Sequence, residues 1–215
     1  MGSTPLILVP TEGERARLEA LGGLAGLPMV LCGFGPVAAA ARSAQLLGAQ
    51  TADRVLLLGI AGTSDPEALP VGGAAAFGAV ALDGLGAGEG PGRLSAADLG
   101  FPQWEDAQGP VHGHLDLEQP FGAGGEEQAL LLTVCAASAD AEQAAERRRR
   151  FAALAEDMEA FGVALGCHLQ GASLAVVRGA SNRTGDREVR GWRIDEALAA
   201  ARSTALSLLE TWGAL

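Results

Sequence analysis

The chain has 215 residues, 48% of them hydrophobic and 31 of them Gly; this fits one globular α/β domain with a large core and excludes a disordered or fibrous protein. A net charge of −11 argues against nucleic acid or an anionic membrane as partner, since both require a cationic face. All 15 basic residues are Arg, and without a lysine amine neither Schiff-base chemistry nor a Walker-type phosphate loop is available.

Leu6-Ile7-Leu8-Val9 is a short apolar run closed by Pro10, and it is predicted to be a buried strand. Residues 12–21 follow as a helix, and Pro28–Cys32 as a second strand ending in Gly33-Phe34-Gly35. Pro36 opens an Ala-rich helix to about Leu47, in the manner of an N1 proline. Arg54–Ile60 is a third strand ending in Gly59-Ile60-Ala61-Gly62. Val71–Leu82 alternates small and apolar residues, giving one long or two short strands. Residues 83–129, rich in Gly, Pro, Asp and Glu, are read as a long loop region with little regular structure at the mouth of a pocket, and His112 and His114 as solvated loop residues. Leu130–Val134 returns to strand, and Ala139–Arg150 is a helix whose terminal ERRRR is a solvated end that favours the helix dipole. Glu156–Leu169 is an amphipathic helix, Leu174–Arg178 a strand and Trp192–Trp212 a long terminal helix. Strands alternating with helices predict a sheet covered on both faces, within a single domain over residues 1–215.

Cys32, Cys135 and Cys167 are far apart and lie among apolar or small residues, as suits buried thiols in a reducing cytosol. The N-terminus lacks a basic n-region, and no apolar window reaches the ~18 residues of a membrane helix, so the chain is expected to be soluble and cytoplasmic. No cluster of metal-ligand type is evident.

Polar groups collect where strands end, which is where open α/β sheets bind ligands. Thr11-Glu12-Gly13-Glu14 offers a carboxylate that can act as a base, or equally a helix-capping acid. The turns Gly33-Phe34-Gly35-Pro36 and Gly59-Ile60-Ala61-Gly62-Thr63 permit close backbone approach to a ligand. Met158-Glu159 pairs a thioether that can pack on a sugar face with a carboxylate that can accept both hydrogen bonds of a vicinal diol. Arg178, ending a strongly apolar strand, needs a carboxylate or an anion as partner, and Gly179-Ala180-Ser181-Asn182 follows it.

These residues resemble the nucleoside phosphorylase and nucleosidase superfamily, and in particular its hydrolase branch of methylthioadenosine/S-adenosylhomocysteine nucleosidases and futalosine hydrolases. The resemblance runs through Glu14-Arg15, Gly33 to Ala40, Gly59 to Gly62, Met158 to Ala164, and Arg178-x-x-Ser181-Asn182-x-x-Gly185-x-Arg187, with Trp192 beyond. It implies a three-layer αβα sandwich around a mixed central sheet, a homo-oligomer, a small purine nucleoside as partner and no cofactor or metal. Phe161-Gly162, Asn182, Gly185, Arg187 and Trp192 favour the futalosine hydrolases, which release hypoxanthine from futalosine in an alternative route to menaquinone. Asn182 stands where adenine-specific relatives carry Asp, and an amide suits a 6-oxopurine, to whose O6 or N7 its NH2 can turn.

By the same resemblance, Glu14 activates water, Glu159 holds the ribose hydroxyls, Met158, Phe161 and Gly62 line the substrate site, and Ser181 and Asn182 stabilise the leaving purine. Arg178 is expected beside Glu14, fixing its carboxylate. The sequence departs from the adenine-specific relatives at Ile60, where they have serine, and at residues 135–139, which hold no aromatic to stack on the base. Recognition of the 5′-substituent is assigned to residues 83–129. The benzoate of futalosine needs a cation, for which Arg183, Arg187 and Arg190 are the candidates. The alternatives are a methylthioadenosine/S-adenosylhomocysteine nucleosidase, a phosphorylase, which lacks arginines at the glycine turns here, or a nucleoside-binding protein altered in catalysis.

Overall fold

The computed structural model describes residues 4–49, 52–88, 90–118 and 129–215. The first half contains β1 (Leu6–Val9), α1 (Glu12–Ala20), β2 (Met29–Leu31), α2 (Pro36–Ala49), β3 (Arg54–Thr63), β4 (Ala74–Phe77) and β5 (Ala79–Asp83). Short strands follow: β6 (Gly86–Ala87), β7 (Leu94–Ser95), β8 (Trp104–Asp106), β9 (Gly109–Val111) and β10 (His114–Asp116). The second half contains β11 (Leu130–Val134), α3 (Ala141–Phe151), β12 (Ala155–Asp157), α4 (Ala160–Gln170), β13 (Ser173–Arg183) and α5 (Ile194–Thr211).

Period-two alternation in the central strands divides the interior into two layers. Leu6 and Leu8, Val55 and Leu57, and Leu174 and Val176 face one core, with Ala39, Phe161 and Val163 from α2 and α4. Ile7 and Val9, Leu56 and Leu58, and Ala175 and Val177 face the other, with Leu18 from α1 and Leu198, Ala201 and Leu208 from α5. The molecule is therefore the expected three-layer sandwich. Its sheet is mixed: β1 pairs in parallel with β2 and β3, β3 in parallel with β13, and β4 antiparallel with β13. Beyond the end of β1, the last residues of β3 pair with β12 antiparallel, through Gly62–Glu156 and Thr63–Ala155, and β11, β5 and β10 extend the sheet from there.

Several expectations are corrected. Among the described residues of 83–118 there are two small hairpins, β6–β7 and β8–β9, and β10 joins the main sheet against β5, so this region is not a structureless loop and His114 lies in a strand. Residues 119–128 lie outside the described residues. The helix read from Glu156 starts at Ala160; Glu156 and Asp157 belong to β12, and α4 is buried around most of its circumference instead of amphipathic. Strand β13 runs past Arg178 to Arg183. The arginines of α3 are not a free helix end: Arg147 and Arg150 pair with buried Asp83, Arg147 also with Glu156, and Arg148 with Asp65. Cys32 and Cys167 are buried but Cys135 is exposed. No helix among the described residues is long and apolar enough to cross a membrane.

Candidate active site

A cavity of about 480 Å³ opens beyond the C-terminal ends of β1, β3 and β13, a size typical of small-molecule sites. Of the site residues expected from sequence, Glu14, Gly62, Met158, Glu159, Ser181 and Asn182 line it. Phe161 does not; it is a core side chain. Arg178 does not line it either, because its guanidinium is fully buried behind the acids.

Glu14 owes its position to the start of α1. Thr11 and Glu14 form a capping box, in which Glu14 Oε2 accepts from Thr11 N (3.1 Å) and Thr11 Oγ1 (2.6 Å). Its Oε1 accepts from Ile60 N at 3.0 Å, so the carboxylate is fixed at both oxygens while still facing the cavity. The capping and catalytic readings of this side chain are thus compatible.

Glu159 precedes α4. Its Oε1 accepts from Gly35 N (3.1 Å), at the entry to α2, and its Oε2 from Arg178 Nη2 (3.3 Å). Burial, more than any other cause, pushes its carboxyl up to about 7; the negative charges of Asp157 and Glu14 add to this, and Arg178 and the Gly35 N–H act against it.

The main partner of Arg178 is Asp157, which the sequence reading missed. Arg178 Nε and Nη2 reach Asp157 Oδ2 at 3.2 and 2.5 Å, and Asp157 also accepts from Thr133 Oγ1 (2.6 Å) and Ala160 N (2.8 Å). The acid run Glu156-Asp157-x-Glu159 was the available signal. Burial opposes the arginine's charge, but Asp157, Glu159 and Glu14 together hold its pKa above the ordinary value. Arg178 forms no hydrogen bond to Glu14, whose carboxylate is held instead by Thr11 and Ile60. The two do come close. Arg178 sits in register with Gly59, where a Cβ would overlap Nη1 and lie 2.7 Å from Glu14 Oε1. Nη1 itself has no hydrogen-bond partner. One buried cation therefore touches Glu159, lies beside Glu14 and is anchored from behind by Asp157.

A register shift in the pairing of β13 with β3 between Ala180 and Asn182 turns the strand end toward the cavity. Ser181 Oγ donates to Asn182 Oδ1 (2.8 Å). The Asn182 NH2 donates to the carbonyls of Arg183 (2.8 Å) and Asp186 (3.3 Å), so it does not point at a free ligand position as expected; the protein itself supplies two acceptors.

Further lining residues were not foreseen: Glu156, which accepts from Ser138 and Arg147, and Arg17, three residues past Glu14 on α1. Ser138 lies in the segment without an aromatic, but Phe34 and Trp192 bring rings to the cavity from elsewhere. No described residue of 83–118 lines it. Arg187 lines it, while Arg183 and Arg190 do not.

No protein-family profile matches the chain. It is 36% identical over 200 residues to a futalosine hydrolase of Streptomyces coelicolor, covering 87% of this chain and 81% of that one. It is 32% identical over 226 residues to a futalosine hydrolase of Thermus thermophilus, covering 97% of each. Its fold matches that of a 5′-methylthioadenosine/S-adenosylhomocysteine nucleosidase of Colwellia psychrerythraea in complex with adenine, with a TM-score of 0.76 and 19% identity over 98% of this chain and 96% of that one.

Proposed function

The chain belongs to the futalosine hydrolase family, and we propose that its pocket hydrolyses the N-glycosidic bond of futalosine and releases hypoxanthine. The observation that carries this reading is the pair of carboxylates, Glu14 and Glu159, that face one cavity while a single buried guanidinium lies behind both.

The reaction begins as the C1′–N9 bond stretches and the ribose gains oxocarbenium character. Glu159, in its ionised form, accepts hydrogen bonds from the 2′- and 3′-hydroxyls, with Met158 against the sugar. Its negative charge also favours the cationic ring in the transition state. Glu14, with both oxygens already oriented, takes a proton from the attacking water. Electrons from the broken bond pass to the purine, which takes up a proton from solvent as Glu14 returns its own, and the longer of Asn182's two donations, that to Asp186, is the one a purine acceptor can take over. Ser181 keeps the amide oriented. The charge of Arg178 lies beside Asp157, Glu159 and Glu14 and works against the rise that burial causes at Glu159. The same reading takes the protein as a single-domain, cytoplasmic homo-oligomer, with exposed Phe34 and Val37 near the pocket as the support for assembly.

Purified protein incubated with futalosine, methylthioadenosine and inosine, with and without phosphate, should release hypoxanthine from futalosine independently of phosphate. Adenine from methylthioadenosine with futalosine untouched would overturn the substrate; turnover that requires phosphate would overturn hydrolysis. Glu14→Gln should lower kcat by a factor of roughly 100 or more while ligand binding persists, as measured by single-turnover rates beside equilibrium binding of hypoxanthine. Retained turnover would show that another group activates water.

A further inference from the structure

Beyond Asn182 the chain turns at Gly185 and returns along the cavity, which Arg187, Val189, Trp192 and Ile194 line together with Glu14 and Glu159. With the acids on the ribose and Asn182 on the base, this segment supplies apolar surface and a single kind of charge to what remains. Of Arg183, Arg187 and Arg190, none of which has an ion pair among the described residues, Arg187 alone lines the cavity. Arg17, also on the wall, pairs with Asp195 (3.0 Å) and donates to Gly13 O, and Arg193 pairs with Glu196. Among the described residues Arg187 has no carboxylate or hydrogen-bond partner; its guanidinium lies 5.3 Å from the ring centroid of Trp192. Such stacking holds the guanidinium without using its N–H groups. The indole Nε1 of Trp192 also lacks a partner. In a chain of net charge −11, an unpaired cation on a pocket wall is a place for an anion.

We propose that Arg187 and Trp192 form a subsite for an aryl carboxylate borne on the 5′ side of the nucleoside, the arene lying against Trp192, Val189 and Ile194 and the carboxylate taking the free guanidinium edge. This rests on the reading of the cavity as a purine nucleoside site, and it assigns the 5′ arm to residues 187–194. A planar fork facing a carboxylate gives two parallel charge-assisted hydrogen bonds, more selective than a point charge.

The test compares kcat/KM for futalosine and its carboxylate methyl ester in the unmodified enzyme, Arg187→Met and Arg187→Lys. In the unmodified enzyme the ester should be roughly tenfold to a hundredfold poorer than the acid, mainly through KM, the factor for a lost hydrogen bond to a charged group. In Arg187→Met the acid should fall to the level of the ester, and Arg187→Lys should recover part of the difference. Acid and ester handled alike by the unmodified enzyme would overturn the subsite, as would an Arg187→Met variant that lowers both by the same factor. Either result leaves the nucleosidase reading standing if hypoxanthine is still released from futalosine. No release from futalosine by the unmodified enzyme would overturn both.

Discussion

Arg178 is the largest fully buried side chain of the described residues, and its surroundings explain why a charge is tolerated there. Taking a guanidinium out of water costs several kcal/mol, offset only where geometry is good and the remaining polar atoms are satisfied. Asp157 provides that geometry with its own two donors, Thr133 and Ala160. Asp157 also borders the cavity, but its carboxylate is taken by Thr133, Ala160 and Arg178, so it is a positioning residue that acts through Arg178. Asp157→Asn leaves the buried charge short of its main partner and should cost about 3–5 kcal/mol in urea denaturation. It also removes one of the negative charges that push Glu159 up, so the acidic limb of the kcat/KM profile should move to lower pH. A variant that loses stability while its acidic limb stays in place would make Asp157 structural only.

At the scale of elements, the site depends on how closely α4 approaches α2. Glu159 leads into α4 and Gly35 into α2, so the 3.1 Å hydrogen bond between them reports that approach. Gly162 makes it possible: a Cβ there would overlap the carbonyl of Pro36 and lie 3.1 Å from Ala40 N. Gly162→Ala sets two effects against each other. Alanine favours a helix over glycine by about 1 kcal/mol. Overpacking against backbone that cannot swing aside costs typically about 1–3 kcal/mol, and here the obstruction is a carbonyl. The expected outcome is a net loss in denaturant midpoint with a raised KM; equal or greater stability would show that the helices can slide apart freely. Gly162 and Glu159 were legible in the sequence because a motif preserves residue types. The boundaries of α4 were not, since a helix buried nearly all round has no polar stripe to mark its start, and Glu156-Asp157 of β12 read as its first turn. Asp157 has no local mark of its role, which only the approach of Arg178 on β13 supplies. The hairpins of 83–118 are short, Gly-rich and exposed along much of their length, so they carry little alternation. The central strands, whose two faces meet two separate cores, were found, although β13 runs past its expected end at Arg178 to Arg183.

For the molecule as a whole, the buried acids make function and stability respond to pH in opposite directions. Glu159 has an ordinary value of 4.5 and is pushed up to about 7 in the fold, chiefly by burial. Between these values the native state holds a proton that the unfolded chain has released, so this group's contribution to stability is full below about 4.5 and declines as pH rises toward 7. Ribose binding needs the ionised form, so kcat/KM should rise over the upper part of that same window. The protein accepts the destabilised carboxylate because an acceptor for two hydroxyls must sit in a water-poor cavity. Glu159→Gln separates the two effects. A neutral amide carries no charge to desolvate and keeps its carbonyl for the Gly35 N–H, but its NH2 then faces Arg178 Nη2, which loses its 3.3 Å carboxylate contact. The variant should therefore lose most of its kcat/KM at every pH, while the stability decline between pH 5 and 7 should flatten, because the group that titrates there is gone. Thermal melts and kcat/KM taken in the same buffers from pH 5 to 8 decide it. A variant less stable at pH 8 than at pH 5 by the original margin would mean that other acids, the Asp83 and Glu156 pairs with α3 among them, set the pH response of the fold.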